Sequence, residues 1–191
     1  MQEEMPTGEA LKSSLVTIEN ELEYLNLILS EIIKYSEPES GHQQVVSVDE
    51  VLQGIQVLLH TEAKLNDVKL VLHTKPGFYV FGTPQGVKKI FFNLIFNAMQ
   101  ACQKKGGTVD IETSEEAGFV QVIVNDSGLG LPESESGDIF EPYVTTKLDG
   151  VGLGLTIVKE NLRSMQGTIE ATNRPEGGAQ FTVRMPKAEK E

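Results

Sequence analysis

Between Asp126 and Gly154 the chain carries neither helical nor strand periodicity, and glycines stand at positions 128, 130, 137, 150, 152 and 154. A connection of this length inside a compact domain is uncommon and is usually a functional or mobile segment. This stretch reads as a lid, and the periodic segments on either side read as its scaffold. The 191 residues suit one domain of about 150 residues plus an appendage. Acids outnumber bases, 28 to 16, giving a net charge of −12. That balance argues against a nucleic-acid partner, whose phosphates need clustered Lys and Arg, yet it leaves room for a local cationic pocket. No apolar run approaches the ~20 residues of a membrane span, and MQEEMPTGEA lacks a signal-peptide pattern, so no membrane contact is expected of this chain. A single cysteine, Cys102, excludes an internal disulfide framework and a Cys-based zinc site. Together these point to a cytoplasmic setting.

Leu11, Leu15, Ile18, Leu22, Leu25, Leu29 and Ile32 are spaced by alternating fours and threes, the seam of a helix that packs on other helices. This predicts a bundle-forming helix over residues 8–38 that ends at Ser36-Glu37-Pro38, a polar linker over 39–46, a folded domain over 47–186 and a tail at 187–191. Because few other helices are on offer, the seam predicts a homodimer through residues 8–38. The domain opens at Ser47, whose spacing to Glu50 is that of a capping box, with Val51, Leu52, Ile55, Leu58 and Leu59 on one helical face. Strands are expected at Lys69–His73 and Phe78–Phe81. Thr83-Pro84 reads as an N-cap followed by proline at the first helical position, opening a helix that runs to Gly106-Gly107. A hairpin is expected from Thr108–Thr113 and Phe119–Asn125 around 115–118. A helix from about Leu153 to Gln166 and strands at Thr168–Asn173 and Gln180–Met185, joined by a turn over 174–178, complete the pattern. Hairpins outnumber strand–helix–strand units, so the fold class is α+β, with helices beside one mostly antiparallel sheet.

Asn93 and Asn97 sit four apart in a strongly apolar helix and share one face. Two amides there imply a ligand, a metal or a hydrogen-bond network, or else mark the helix's solvent face. Asp126, in Asp126-Ser127-Gly128-Leu129-Gly130, ends a strand where little side-chain bulk surrounds the backbone; it suits a nucleobase amine, and equally a plain tight turn. Gly150-Val151-Gly152-Leu153-Gly154-Leu155 leads directly into a helix and offers amides to an anion such as phosphate, with Thr145, Thr146 and Lys147 just before it. Neither a dinucleotide fingerprint nor a P-loop matches these glycines.

Taken in order, Asn93-x-x-x-Asn97, Asp126-x-Gly128-x-Gly130, Ile139-Phe140-Glu141-Pro142-Tyr143-Val144-Thr145-Thr146-Lys147 and Gly150-x-Gly152-x-Gly154-Leu155 closely resemble the catalytic ATP-binding domain of bacterial sensor histidine kinases. The wider superfamily includes gyrase, the ninety-kilodalton heat-shock chaperone and the mismatch-repair ATPases. The resemblance covers about residues 45–186, and Ile18–Pro38 resembles the second helix of the family's dimerisation and phosphotransfer hairpin. It implies a two-layer sandwich of the Bergerat type, with helices on one face of a mixed, mostly antiparallel sheet. It further implies ATP and Mg²⁺ as cofactors. Asn97 would ligate the metal, with Asn93 beside it contacting metal or phosphate. Asp126 would bind the adenine amine, and Gly128 and Gly130 would shape the base pocket. Phe140 would pack the lid, and Thr145, Thr146 and Lys147 would reach the phosphates. Gly150, Gly152, Gly154 and Leu155 would form the hinge at the phosphates, and Thr182 would support the aspartate through water. Asn93 and Lys147 would be the catalytic pair. Where the hydrolytic relatives carry a glutamate four before the metal asparagine, this chain has Asn93, a poor base, which favours phosphoryl transfer over hydrolysis.

The departure from the family lies in the acceptor. His42, His60 and His73 are the only histidines; they sit in the linker, on a helix facing the domain and at a strand end, and none has the acceptor setting. The acceptor helix reads as missing, as in a truncated kinase. The expectation is a histidine kinase catalytic region that phosphorylates a hairpin histidine in trans and works with a response regulator. A regulatory nucleotide-binding module or pseudokinase is the alternative, with a small clamp-type ATPase and an anti-sigma-type serine kinase as further readings.

Overall fold

The computed structural model describes residues 42–102, 106–131, 139–145 and 152–190. The expected 8–38 helix and residues 132–138 and 146–151 of the lid lie outside them. In chain order the elements are β1 (Gln44–Ser47), α1 (Val48–Leu65), β2 (Val68–His73), β3 (Tyr79–Gly82), α2 (Pro84–Cys102), β4 (Gly107–Glu116), β5 (Phe119–Asp126), α3 (Gly154–Ser164), β6 (Thr168–Asn173) and β7 (Ala179–Ala188). Residues 44–46, read from the sequence as linker, belong to β1, a four-residue strand too short to show an alternating pattern.

Both expected N-caps form. Ser47 Oγ accepts from the Glu50 N–H at 3.3 Å, and Thr83 Oγ1 accepts from the Gly86 N–H at 3.0 Å, each satisfying an otherwise orphaned amide in the first turn. Helix α1 buries Val48, Leu52, Ile55, Leu59 and Ala63. Leu58, expected on that face, is 56% exposed. At about 100° per residue it lies roughly 100° round the helix from the centre of the buried stripe, and one residue's offset is enough to turn it outward. Helix α2 buries more of its circumference, from Val87, Ile90 and Phe91 to Met99 and Cys102, and forms the middle of the helical layer.

The sheet runs β1-β3-β7-β5-β4-β2, with β6 beside β7. Only β2 against β4 is parallel, joined by the crossover through β3 and α2, and the remaining pairs are antiparallel. The β4–β5 hairpin closes more tightly than expected: Ala117 and Gly118, at φ +51° and +83°, make a two-residue turn, so the strands reach Glu116 and Phe119. Pro186 sits inside the central strand β7 without breaking it. The Lys187 N–H is directed at Gly118 O on the β5 side, so the position of the missing proline N–H faces the other edge, between the end of β6 pairing at Arg184 and the start of β3 pairing at Lys187. On β5, Val120, Val122, Val124 and Asp126 point into the core under the helices, and on β7 Ala179, Phe181, Val183 and Met185 do the same. This two-layer α+β sandwich, helices on one face, is the fold class expected from the sequence.

Candidate functional site

Asp126 is the last residue of β5 and is 1% exposed. A carboxylate so deeply buried needs hydrogen-bond donors. Its Oδ1 accepts from the Gly128 N–H at 2.8 Å and the Ala179 N–H at 3.2 Å, and its backbone carbonyl accepts from Arg174 Nη1 at 2.9 Å. Glycine makes the approach feasible: a Cβ on Gly178, at φ +87°, would lie 2.0 Å from Asp126 O. On the other side a Cβ on Gly128 would lie 2.5 Å from Ala101 O, so the segment after β5 rests directly on the end of α2.

Asn93 and Asn97 are half-buried on α2, one turn apart. The Asn93 Nδ2 donates to Lys89 O at 2.8 Å, which ties the amide nitrogen to its own helix and turns Oδ1 the other way. A Cβ on Gly154 would lie 3.2 Å from Asn93 Oδ1 and 3.6 Å from Asn97 Nδ2. The asparagine face therefore looks at the first residue of α3, not at open solvent. Leu153, the N-cap of α3, has no side chain able to cap the helix, so its first amides are presented to the same space and favour an anion there. Leu155 packs partly against the core beneath.

The middle of the expected lid is pinned to the core, to the lid's own end and to α3. Ile139 and Phe140 are buried in the core, the Tyr143 N–H donates to Gly152 O at 3.0 Å, and Lys159 pairs with Glu141 at 2.8 Å. Phe140 thus belongs to the core cluster, and Thr145 is exposed beyond it. Thr146, Lys147 and Gly150 lie outside the described residues.

No three His, Cys, Asp or Glu side chains converge on a metal site among the described residues. The side chains facing α3 are instead the two asparagine amides, of which Asn93 presents its Oδ1, a neutral, hard oxygen. Mg²⁺ keeps several waters and commonly takes only one or two protein oxygens together with phosphate oxygens, so the Asn93–Asn97 face fits an ion that arrives with a polyphosphate.

One expected role is reassigned. Thr182 pairs with Ile123, and both point to the sheet face opposite Asp126. The residue of β7 that holds the aspartate is Ala179, three positions earlier, through its backbone N–H. A backbone donor leaves no residue-type signal, which is why the sequence points elsewhere. Arg174 and Gly178 were legible only as parts of a turn, and Asn173 only as the end of a strand. His60 lies on α1, the helix that packs on the domain, and is exposed there; His73, also exposed, lies 3.7 Å from Asp110. Glu176, beside Arg174, has its carboxyl held below the ordinary range by a backbone hydrogen bond and by the Arg174 guanidinium.

Residues 82–189 match the family described as Histidine kinase-, DNA gyrase B-, and HSP90-like ATPase. Sporulation kinase A of Bacillus subtilis (strain 168) is 33% identical over 184 residues, covering 95% of this chain and 30% of that kinase. Sensor histidine kinase ZraS of Klebsiella oxytoca is 33% identical over 181 residues, covering 94% of this chain and 39% of that one. The chain therefore spans about a third of the length of the curated relatives it matches. Among solved structures, histidine kinase ThkA in complex with response regulator protein TrrA superposes with a TM-score of 0.77 at 27% identity, over 98% of this chain and 55% of that one.

Proposed function

Because the chain belongs to the Histidine kinase-, DNA gyrase B-, and HSP90-like ATPase family, we propose that it is the ATP-binding catalytic region of a sensor histidine kinase that transfers the γ-phosphate to a histidine on a separate hairpin. The observation that carries this reading is the placement of the Asn93–Asn97 face against the uncapped start of α3, with Asp126 buried at the end of the neighbouring strand. A nucleotide would place its base at Asp126 and its phosphates at α3. Asn97 and Asn93 would hold Mg²⁺, which neutralises phosphate charge when bound. Phosphoryl transfer asks a protein mainly to position the donor and offset its charge. Nothing at position 93 can act as a general base toward water, which supports transfer over hydrolysis. The nucleophile would come from a hairpin histidine, since His42, His60 and His73 lie at a domain entry, on an exposed helix face and at a strand end. A response regulator would receive the phosphate next, as suits a chain related to ThkA, a kinase solved with such a partner. Residues 8–38 would supply a homodimer seam.

Calorimetric titration with ATP, with and without Mg²⁺, tests the site. We expect magnesium-enhanced binding, at least tenfold weaker in Asp126→Asn and without magnesium dependence in Asn97→Ala. A supplied hairpin with an acceptor histidine should then gain phosphate from ATP. Binding without transfer would favour a regulatory nucleotide-binding module, steady ATP turnover without an acceptor would favour a clamp-type ATPase, and no binding at millimolar ATP would sink the reading.

A further inference from the structure

The segment that follows β5 is held at both ends by two consecutive residues, Asn173 at the end of β6 and Arg174 at the start of the β6–β7 turn. At one end Arg174 Nη1 donates to Asp126 O at 2.9 Å. At the other, Asn173 makes a two-point bridge: its Oδ1 accepts from the Leu131 N–H at 2.6 Å and its Nδ2 donates to Leu131 O at 2.9 Å. A side-chain amide here does what a neighbouring strand would do for Leu131, satisfying both of its backbone polar groups. The bridge has a local requirement. Gly130, at φ +78°, lies so close that a Cβ would come within 2.7 Å of Asn173 Oδ1. The turn is itself braced, with the Arg174 N–H directed to Gly178 O and the Gly177 N–H to Arg174 O, both at 3.0 Å, and Glu176 against the guanidinium.

We propose that Asn173 and Arg174 are positioning residues for the nucleotide base: they fix the two ends of Asp126–Leu131, so that the aspartate and the glycine backbone present one rigid surface to the base. The proposal rests on the nucleotide-binding reading above. Neither residue touches the ligand; each acts through the segment it holds. Asn173 is exposed and outside the core, so its loss frees the Leu131 end while the Asp126 carboxylate keeps its bonds to Gly128 and Ala179. A binding surface free at one end must be ordered on binding, which lowers affinity, and it discriminates less well between bases.

The test uses the full chain and Asn173→Ala, with Asn173→Asp as the conservative variant, which keeps the acceptor for the Leu131 N–H. We expect Leu131 amide exchange to speed about tenfold in Asn173→Ala, ATP affinity to fall about five- to tenfold, and the ratio of ATP to GTP affinity to shrink, with Asn173→Asp recovering the exchange protection and part of the affinity. Magnesium dependence should stay as in the unaltered chain. Unchanged Leu131 exchange would overturn the bridge. Faster exchange with unaltered ATP affinity and base preference would make it a purely structural tie and overturn the positioning role. Should the unaltered chain fail to bind ATP at all, the functional reading would fail first, and the positioning role with it.

Discussion

Gly177 and Gly178 are adjacent, both have positive φ, and alanine at each isolates a different quantity. Gly177 sits at φ +100° with nothing within 4 Å of a built Cβ, whereas the Cβ of an alanine at 178 would lie 2.0 Å from Asp126 O and 2.7 Å from its carbonyl carbon. Both substitutions incur the left-handed backbone cost of an L-residue, about 1–2 kcal/mol. Gly178→Ala must in addition open the Asp126 contact by about 1.4 Å to reach ordinary van der Waals distance. A shift of that size carries the 3.2 Å bond from the Ala179 N–H to Oδ1 and the 2.9 Å bond from Arg174 to the Asp126 carbonyl beyond hydrogen-bonding range. Losing a bond to a buried carboxylate and one to a carbonyl costs about 2–4 kcal/mol beyond the shared backbone cost. For a domain of this size that is roughly 5–15 °C of further loss in Tm relative to Gly177→Ala. Thermal unfolding followed by circular dichroism measures the stability, and ATP titration should show a loss of binding in Gly178→Ala that Gly177→Ala does not share. Equal Tm values and equal affinities for the two variants would refute the argument that backbone approach at Gly178 shapes the site.

Leu52 is fully buried on α1 while Leu58 is 56% exposed, so Leu52→Ala should lower stability by about 2–5 kcal/mol and Leu58→Ala by less than about 0.5 kcal/mol, read by chemical denaturation. The Glu176 carboxyl, held low chiefly by its backbone hydrogen bond and then by Arg174, should titrate by NMR below a free glutamate, and Arg174→Ala should bring it part of the way back. Because its folded-state pKa is depressed, the stabilisation that it contributes is present above the ordinary carboxylate range and is lost as pH falls through the lowered value; a Glu176 that titrates normally would contradict the contact.

The four short motifs were legible because each depends on residue type at short range. Asn93 and Asn97 share a face by helical spacing alone, and Asp126 follows an unmistakable alternating strand. Caps at Ser47 and Thr83 were equally local, and the structure forms both. Strand β1 escaped notice because four residues carry too little pattern, and Leu58 was misplaced because a helical face has soft margins. Thr182 was assigned to the aspartate by family analogy, whereas strand register places it on the opposite face and leaves the contact to the Ala179 backbone.

The sequence by itself determined the elements, their order and the chemical types gathered for the site, since propensity, capping and periodicity act over a few residues. The tertiary structure decided which groups meet. Ala179, Gly178, Arg174 and Asn173 come from 48 to 53 residues beyond Asp126, or 42 beyond Leu131, and reach that segment only because β7 pairs with β5 in one register. Each of these bonds has a backbone N–H or C=O on one side, a group that every residue carries, so which backbone group meets the side chain on the other is chosen by the geometry of the sheet.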